Sequence, residues 1–493
     1  MISLRFKDAL MKRVLLTVHK FFPEHRAGTE VLTLKVAQEL QQRGYETLVV
    51  TANPPDLDAR HAGGTQTSDY IYEGVKVHVI QEALRLKGYT FAHEYSHRQI
   101  AEHFAKLLEE FNPDIVHIFH CQNLSAEIVG KARAHNIPVV ASLTDFWFVC
   151  PVVQLKRPDG ALCRGPNALA TNCLTCYTPA LFPPQEQVME AIEKKVPAAA
   201  RLLKQLPRLA RDFSAAAATN AYCASKLPAA VTATIKRPAF LREVANQLDS
   251  IMVPTKLMQD IFVENGIRAD LIRRVPFGID TEPLMRYQEK SASSTIRVGF
   301  IGTIFEHKGL DLLVRAFHEL PADAPIQLKI YGDPSQFPEY GKSVEDLAQA
   351  GANADKIEFL GTFPNSQLGE ILSHLDILAV PSRWYENTPL VIQSAFATRT
   401  PVLATDLGGM SELVKHGSNG LLFKLNDTHS LKEQLLRIIE DATLLASLRA
   451  GISPERTVQQ MVDDIENVYE AVLSPRLGSP EQPAPVAGKT VIS

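Results

Sequence analysis

Short apolar runs rich in β-branched residues alternate with longer segments whose apolar residues recur at helical spacing, through most of the chain. Near-continuous apolar strands separated by helices are typical of parallel sheets that are covered on both faces. Two such series follow one another, so the pattern predicts an α/β protein with two Rossmann-like, doubly wound parallel-sheet domains. The predicted strands are 14–18, 47–51, 75–80, 115–119, 139–143 and 251–253 in the first half, and 297–301, 327–331, 357–360, 377–380, 402–405 and 420–423 in the second.

Proline and glycine interrupt the pattern between the two series, over residues 276–280, which suits a hinge. We therefore expect a first domain over residues 1–275 and a second over 281–452. A C-terminal helix over 453–474 is expected to return to the first domain. Residues 475–493 are rich in Pro, Gly and Ser and are predicted to be a disordered tail.

Residues 185–247 depart from the alternation of strands and helices, and we expect them to form a helical insertion in the first domain. They carry ten cations and five anions, a net charge of +5, which leaves −9 for the rest of a chain whose total is −4. Basic residues separate Leu202, Leu203, Leu206 and Leu209, which recur at near-helical spacing. The segment either docks on an anionic membrane surface or packs on the first domain with a solvated basic face.

Composition serves mainly to exclude classes of protein. The chain has 493 residues, of which 45% are hydrophobic and 22% charged, as in ordinary globular proteins. Its negative net charge argues against a dedicated nucleic-acid-binding protein. No apolar run approaches the roughly 20 residues that span a bilayer, and no cleavage site follows the short first run. We expect a cytoplasmic protein with reduced thiols, peripheral at the inner membrane face if the insertion docks there.

Four of the six cysteines lie within one stretch of 27 residues: Cys150, Cys163, Cys173 and Cys176. In a reducing compartment, a cluster that ends in Cys-x-x-Cys favours metal binding over disulfides. Four thiolates suit tetrahedral zinc. Only one Cys-x-x-Cys pair is present, so a structural zinc site and separate buried or free cysteines both remain as interpretations.

Ligands of open parallel sheets bind outside the carboxyl ends of the strands, so the loops after the strands are where chemistry is expected. Gly28 follows the first strand and begins a helix, where backbone N–H groups can approach an anion, although a plain tight turn explains one glycine as well. The loop from Gly302 to Gly309 follows the first strand of the second series. It carries Lys308, which is placed either to neutralise a diphosphate or as a solvated surface lysine.

The loop after strand 377–380 has the sequence Arg-Trp-Tyr-Glu-Asn and precedes a helix. The carboxylate of Glu386 can accept hydrogen bonds from two sugar hydroxyls. Backbone N–H groups at the helix start, from Thr388 to Val391, can hold a phosphate, and Pro389 suits the first helical turn. The alternative for Glu386 is a negative charge that only stabilises the helix N-terminus.

These segments together resemble retaining glycosyltransferase family 4, whose GT-B fold has two facing Rossmann-like domains. The resemblance covers about residues 12–472 and is specific in the second half. The matching segments there are 302–309, 381–393 and 401–409, and those in the first half are 28–30, 114–117 and 144–151.

The resemblance implies that a sugar moves from a nucleotide diphosphosugar to an acceptor hydroxyl, on a lipid-linked or polysaccharide glycan, with retention at the anomeric carbon. It makes Lys308 a contact of the diphosphate and Glu386 a contact of the donor sugar. No cofactor or divalent cation is expected for catalysis, because cationic side chains and helix N-termini offset the leaving-group charge. The other expected donor-binding residues are Gly28, Gly302, Thr303, Arg383, Asn387, Thr388, Leu390, Val391 and Ser394.

Two positions depart from the family pattern. The family has two glutamates separated by seven residues, and the second position here is Ser394, which cannot make the bidentate contact that holds the ribose hydroxyls. The family often has arginine directly after the first glycine of the phosphate loop, where this chain has Thr303. Arg383 is a candidate to supply the missing charge.

His120 and Asp145 follow two strands of the first series, and we expect both to face the cleft as catalytic residues. A helix N-cap or turn is the alternative for Asp145, and His117, inside a strand, is expected to lie in the core. Three functions are therefore open: an active retaining glycosyltransferase, a catalytically weakened GT-B protein that binds a nucleotide sugar or a partner without turnover, and a sugar-nucleotide epimerase of similar fold.

Overall fold

The computed structural model describes residues 12–52, 65–82, 91–181 and 208–477. In this part of the chain, fourteen strands form two sheets, one in each half. All twelve predicted strands are present, with ends that differ from the prediction by at most two residues. The two doubly wound α/β domains that the hydrophobic pattern predicts are therefore confirmed.

The first sheet has eight strands in the order β3-β4-β2-β1-β5-β6-β7-β8. Their bounds are β1 Arg13–Val18, β2 Glu46–Thr51, β3 Thr65–Tyr72, β4 Val75–Glu82, β5 Ile115–Ile118, β6 Val139–Ser142, β7 Ser250–Val253 and β8 Ile272–Arg274. The neighbouring strands are parallel except at one edge, where the additional strand β3 pairs antiparallel with β4.

The hydrophobic pattern does not predict β3 or β8. The sequence of β3 is largely polar, and its pairing follows from the turn at Glu73 and Gly74, which have φ of 45° and 83°. Two consecutive residues with positive φ make the tight turn that suits the twist of a hairpin. Strand β8 has only three residues, of which Arg273 and Arg274 are exposed, so it carries no apolar run.

The second sheet has six strands, all parallel, in the order β11-β10-β9-β12-β13-β14. Their bounds are β9 Ile296–Ile301, β10 Ile326–Tyr331, β11 Ile357–Gly361, β12 Ile377–Val380, β13 Val402–Thr405 and β14 Gly420–Phe423. The reversal of strand order between β9 and β12 lies at the sheet centre, where doubly wound sheets bind ligands.

Helices cover both sheets. In the first half these are α1 Gly28–Gln42, α2 Arg98–Phe111, α3 Glu127–Ala134, α4 Thr171–Leu181, α5 Arg208–Ala245 and α6 Lys256–Glu264. The following helices are α7 Glu282–Met285, α8 Leu310–His318, α9 Pro338–Gln349, α10 Leu368–Ser373, α11 Leu390–Ala397, α12 Gly408–Leu413, α13 Thr428–Glu440, α14 Leu444–Ala450 and α15 Val458–Leu477.

Helix α15 packs against the first domain. Val462, Ile465 and Tyr469 are buried in the same core cluster as the strand β1 residues. On the rim of this contact, Arg43 forms ion pairs with Asp463 at 2.7 Å and with Glu466 at 2.5 Å. The helix continues through Pro475 to Leu477, so the expectation of a disordered tail is wrong for these three residues, and the remainder of that tail lies outside the described residues.

The two chain segments that connect the domains pair with each other. The N–H of Ile279 donates to the carbonyl of Arg456 at 3.0 Å, and the N–H of Val458 donates to the carbonyl of Ile279 at 3.1 Å. A Cβ on Gly278 would lie 2.0 Å from the Thr457 carbonyl oxygen. Only glycine therefore permits this close crossing of the two segments.

Helix α5 accounts for the described part of the expected insertion. Its Arg237 is buried and pairs with Glu94 at 2.8 Å, and it also donates to the carbonyl of Trp147 at 2.7 Å. One of the ten cations counted in the insertion is thus an internal charge. Leu202, Leu203 and Leu206 lie outside the described residues, and so does the side chain of Leu209.

Among the helices of the described ranges, none is both long and apolar enough to cross a bilayer. His117 lies in the core as expected, fully buried, with its Nδ1 2.6 Å from the Tyr469 hydroxyl and its Nε2 2.8 Å from the Ser142 hydroxyl. Burial lowers the pKa of His117 to about 3, so the ring is neutral.

We expect Tyr469→Phe to lower the free energy of unfolding by about 1–3 kcal/mol, because it leaves the buried Nδ1 of His117 without its partner. Urea unfolding followed by circular dichroism measures this. Tyr287→Phe is the matched control, since the hydroxyl of Tyr287 makes no hydrogen bond within the described residues. Equal stability of the two variants would contradict the assigned role of the Tyr469–His117 bond.

Candidate functional site

The loops at the carboxyl ends of the two sheets meet across a cleft between the domains. Asn387, after β12, donates from Nδ2 to the carbonyl of Thr144, after β6, at 2.7 Å. Lys156 of the first domain contacts both carboxylate oxygens of Glu306 at 2.9 Å. The loops that the sequence selects therefore form one interdomain site.

Glu386 and Lys308 meet in this cleft although 78 residues separate them in the sequence. The Lys308 ammonium donates to Oε1 of Glu386 at 2.6 Å. The Ser382 hydroxyl and the Trp384 indole N–H donate to the same oxygen at 2.9 and 2.8 Å. No donor within the described residues binds Oε2, so that oxygen can accept hydrogen bonds from a ligand.

The carboxyl of Glu386 is ionised despite its burial. Burial acts to raise its pKa, but the Lys308 ammonium and the hydrogen bonds from Lys308, Trp384 and Ser382 outweigh burial and hold the pKa below its usual value. Ligand hydroxyls would thus meet a charged acceptor, which forms stronger hydrogen bonds than a neutral one.

An aromatic wall flanks this pair, and the sequence reading did not assign it a role. The Lys308 ammonium lies 5.4 Å from the centre of the Trp384 ring, within cation–π range. The His307 ring lies 4.9 Å from that of Trp384. Burial, followed by the Lys308 charge, lowers the pKa of His307 to about 4. The tryptophan two residues before Glu386 in the sequence could have indicated this aromatic wall.

Close backbone approaches fix the loop that carries Glu386. The N–H of Gly409, on α12, donates to the carbonyl of Glu386 at 3.0 Å. A Cβ on Gly409 would lie 1.6 Å from the carbonyl oxygen of Asn387. Gly309 has φ of 68°, and a Cβ there would lie 2.0 Å from the carbonyl oxygen of Pro381. These glycines let the three strand-end loops of the second domain pack against one another.

The helix after this loop begins one residue later than expected. Pro389 is the residue that precedes α11, with extended backbone and no side-chain cap, and Leu390 and Val391 occupy the first turn. The first N–H groups of a helix have no partner inside it. Leu390 also faces the first domain, since its Cδ1 would lie 3.8 Å from a Cβ on Gly28. Gly28 is the first residue of α1, as predicted.

His120 and Asp145 form a hydrogen-bonded pair on the opposite wall. The Nε2 of His120 lies 2.9 Å from Asp145, and its Nδ1 accepts the N–H of Gln122 at 2.9 Å. That acceptor role places the ring proton on Nε2, which donates to the carboxylate. Burial acts to raise the pKa of Asp145, but the contact with His120 and the N–H of Trp147 lower it below its usual value.

His19 and Glu30 extend this pair and were not selected from the sequence. The His19 ring lies 4.3 Å from that of His120, and its Nε2 lies 3.6 Å from Glu30. Burial, with His120 as the next cause, lowers the pKa of His19 to about 3, and burial raises that of Glu30. Within the described part of the chain, His19 Nδ1 and Glu30 Oε2 are buried without hydrogen-bond partners. Because His19 directly follows β1 and ligands bind at the ends of such strands, the sequence could have indicated it as a site residue.

Comparison with known families agrees with this geometry. A model described as "Glycosyl transferases group 1" matches residues 282–452, and one described as "Glycosyltransferase Family 4" matches residues 26–164. The two matches together cover more than half of the chain. The chain belongs to the group 1/family 4 glycosyltransferases.

Curated relatives match over about half of this glycosyltransferase. A D-inositol 3-phosphate glycosyltransferase of Stackebrandtia nassauensis is 28% identical over 49% of this chain and 58% of its own length. The lipopolysaccharide core biosynthesis mannosyltransferase LpsB of Rhizobium meliloti is 29% identical over 50% of this chain and 66% of its own length. The chain thus spans less than two thirds of the length of each.

Solved structures share the fold along nearly the whole chain. Sucrose-phosphate synthase from Thermosynechococcus elongatus superposes with a TM-score of 0.62 at 16% identity, over 94% of this chain and 100% of the other. Anabaena Alr3699/HepE, in complex with UDP and glucose, superposes with a TM-score of 0.57 at 16% identity over the same shares. The fold of this glycosyltransferase is GT-B.

Ser394, one of the two departures from the family pattern, and Arg383, the candidate to supply the missing charge, are both engaged by other groups of the second domain. Ser394 is buried on α11, and its hydroxyl donates to the carbonyl of Leu390 at 2.9 Å. The guanidinium of Arg383 is not a free cation, since it donates to Asp311 at 2.7 Å and its Nη1 lies 4.0 Å from Glu306. Gly302, Thr303 and Thr388 lie in the loops after β9 and β12. A Cβ on Gly302 would meet no atom within 4 Å, so this position borders open space.

The four clustered cysteines line one cavity of the first domain. All four are free thiols. Burial raises the pKa of Cys150 to about 11 and that of Cys173 to about 12. In the described ranges, no three His, Cys, Asp or Glu side chains have the mutual spacing of a preformed metal site. The geometry as it stands is that of neutral thiols around a shared space.

We expect Gly409→Ala to destabilise the protein by about 1–3 kcal/mol or more, because the new methyl overlaps the Asn387 carbonyl and the backbone must shift. Gly130→Ala is the control: it lies on an exposed face of α3 with no atom within 4 Å of a new Cβ. Alanine there should be neutral or stabilising by up to about 1 kcal/mol. Thermal unfolding of both variants tests the close packing of the site loops, and a fully stable Gly409→Ala variant would refute it.

Proposed function

We propose that this glycosyltransferase moves a sugar from a nucleotide diphosphosugar to an acceptor hydroxyl with retention at the anomeric carbon. The observation that carries the proposal is the meeting of Lys308 and Glu386, from two strand-end loops, at 2.6 Å in the interdomain cleft. Lys308 supplies a fixed positive charge for a diphosphate, and Glu386 supplies a charged hydrogen-bond acceptor for sugar hydroxyls.

The nucleotide donor is supported by the fold and by this charge arrangement. A structure of the same fold was solved with UDP and glucose. In this chain, Lys308 and the first N–H groups of α11 offer one cation and backbone donors to a diphosphate. These groups offset leaving-group charge without a divalent cation, which is why we propose that catalysis needs none.

The proposed reaction breaks the bond between the anomeric carbon and the diphosphate oxygen and forms a bond from that carbon to the acceptor oxygen on the same face. The electron pair of the broken bond stays on the nucleoside diphosphate. The acceptor hydroxyl gives up its proton, so the products are the glycoside, the nucleoside diphosphate and one proton. Lys308 would stabilise the charge that develops on the leaving oxygen.

The first-domain wall would orient the sugar and the acceptor. Because Asp145 holds the Nε2 proton of His120, the imidazole keeps one orientation. His19 Nδ1, Glu30 Oε2 and Asn387 Oδ1, which are buried and have no hydrogen-bond partner among the described residues, lie around the same region. Buried polar atoms are normally hydrogen-bonded, so hydroxyls of a carbohydrate are the partners that we propose for them.

For the acceptor we propose a lipid-linked or polysaccharide glycan. The docking of residues 185–247 on an anionic membrane surface belongs to this proposal. It rests on the net charge of +5 in the sequence, reduced at the surface by the internal Arg237–Glu94 pair. Cosedimentation with anionic and neutral vesicles at low and high salt tests it.

A binding protein without turnover is the second candidate, and specific contacts favour it. The Ser394 hydroxyl is occupied within its own helix, and Arg383 is held by Asp311. Both groups are thus engaged by the protein itself, which leaves neither of them free to strengthen donor binding. To distinguish the active transferase from the binding protein, the purified protein is incubated with UDP- and GDP-sugars and assayed for released nucleotide. Binding of a nucleotide sugar without release or transfer identifies the binding protein.

We expect Glu386→Gln and Lys308→Met each to reduce transfer by about 10- to 100-fold, since a charge-assisted contact to a ligand is worth about 1.5–3 kcal/mol. Steady-state kinetics with the donor found by screening measures this. Glu433→Gln and Lys342→Met are the controls, since both residues are exposed on helices of the second domain. Near-normal activity in either cleft variant would overturn the site assignment.

We expect Ser394→Glu to tighten nucleotide binding, because a carboxylate at this position of α11 restores the bidentate acceptor for the ribose hydroxyls. Isothermal titration with UDP and GDP measures the change. Ser394→Ala removes only the bond to the Leu390 carbonyl and should leave nucleotide affinity unchanged. Unchanged or weaker affinity of Ser394→Glu would mean that the site is built around serine.

A further inference from the structure

Three separate pieces of chain bring the four cysteines to one cavity. Cys150 ends the turn that follows β6, and Cys163 follows a small hairpin closed by the Lys156–Leu162 bridge. Cys173 and Cys176 lie three residues apart on α4, which puts them on the same helix face. The cavity that all four line has a volume of about 10 Å³, which holds about one water-sized particle.

Backbone and side-chain donors already point at two of the sulfurs. The N–H of Gly165 donates to Sγ of Cys163 at 3.4 Å, and Nδ2 of Asn172 lies 3.7 Å from it. The backbone N–H groups of Leu155 and Val152 act to lower the pKa of Cys150, against the larger effect of burial. Such donors stabilise a thiolate and act as the outer shell that orients metal ligands.

We propose that Cys150, Cys163, Cys173 and Cys176 bind one structural zinc ion as four thiolates. Zinc accepts four sulfur ligands in a tetrahedron, with Zn–S distances of about 2.3 Å, in closed sites that are structural rather than catalytic. No feature of the glycosyl transfer requires this ion, so the site is additional to the proposed function.

Coordination changes the present hydrogen bonds of the thiols. Cys163 donates to the Gly165 carbonyl at 3.2 Å, Cys173 to the Asn172 side-chain oxygen at 3.8 Å, and Cys176 to the Asn172 carbonyl at 4.0 Å. On binding, the sulfurs turn from these oxygens to the ion, and four protons leave as four Zn–S bonds form. Because no three such side chains in the described ranges have metal-ligand spacing, binding requires this turn.

The charge of the loaded site has compensation nearby. One Zn²⁺ with four thiolates carries a net charge of −2. Lys156 lines the same cavity, and the buried Arg237 guanidinium acts electrostatically on both Cys150 and Cys173. A buried negative cluster is stabilised by nearby cations, and these two side chains supply positive charge although Lys156 also pairs with Glu306 and Arg237 with Glu94.

The site would fix a loop that reaches across the cleft. Lys156 lies in the hairpin between Cys150 and Cys163, and its side chain is only 8% exposed. It contacts Glu306, which lies in the loop from Gly302 to Gly309. Glu306 and Lys308 share one 3-10 turn. A zinc ion that anchors this hairpin thereby positions a first-domain cation beside the proposed diphosphate site.

The test uses the full chain, freed of any polyhistidine tag and purified under reducing conditions. Elemental analysis is expected to give one zinc per chain. Cys173→Ser should lower the affinity for zinc by about 10- to 100-fold or more, because the loss of even an outer-shell partner of a ligand has an effect of this size. Cys121→Ala should keep it, because Cys121 is buried outside the cavity lining. Protein without metal, iron in place of zinc, or full zinc in Cys173→Ser would each overturn the proposal.

A spectroscopic and a chemical measurement keep the proposal testable if Cys173→Ser does not fold. The wild-type chain exchanged with Co²⁺ should show the thiolate charge-transfer and d–d bands of tetrahedral sulfur coordination, and bands of an octahedral ion would exclude the site. Thiol titration of denatured, chelator-treated protein should count all six cysteines. A count of two would assign the cluster to disulfides and refute the metal.

Discussion

The pairing of the two connecting segments limits how the two domains can lie relative to each other. Ile279 exchanges backbone hydrogen bonds with Arg456 and Val458, and Gly278 allows the segments to cross at contact distance. Two independent linkers would let the domains rotate freely. Because these linkers are joined to each other, the loops at the carboxyl ends of both sheets are kept opposite one another, and contacts such as Asn387 with Thr144 become possible.

Within that frame, the second domain concentrates positive and negative charge at one point. Three donors converge on a single oxygen of Glu386, and the Lys308 ammonium that binds it also lies over the Trp384 ring. A buried carboxylate is stable only when it is paired and hydrogen-bonded in this way. The result is an ionised acceptor whose position is fixed before a ligand arrives, which avoids the cost of ordering it during binding.

Much of the fold could be predicted from the sequence, since each of the twelve apolar runs predicted as strands is a strand in the structure. The strands that were not predicted, β3 and β8, have no such run. Strand β3 is positioned by the turn that joins it to β4, and β8 is a short strand that pairs at the edge of the sheet. Strand-end reasoning selected Lys308, Glu386, His120 and Asp145, which the structure brings to the same cleft.

The partners of those residues could not be predicted, because they depend on tertiary contacts. Spacing alone does not indicate that Arg383 would pair with Asp311, that Ser394 would bond within its helix, or that Arg237 would be an internal charge. Spacing also does not show that His120 binds Asp145 through Nε2 and the Gln122 N–H through Nδ1. Roles of individual side chains in the cleft therefore require the assembled domains.

Helix α15 has a consequence for the order of folding. Its Val462, Ile465 and Tyr469 complete a core that includes residues of β1, α1 and β4, more than 350 residues earlier in the chain. On the ribosome, the first domain is therefore made with an apolar surface that only the segment synthesised after the second domain can cover. Domains usually fold as they emerge, but here the first can reach its final stability only after the second has been made, so the two domains mature as a single unit.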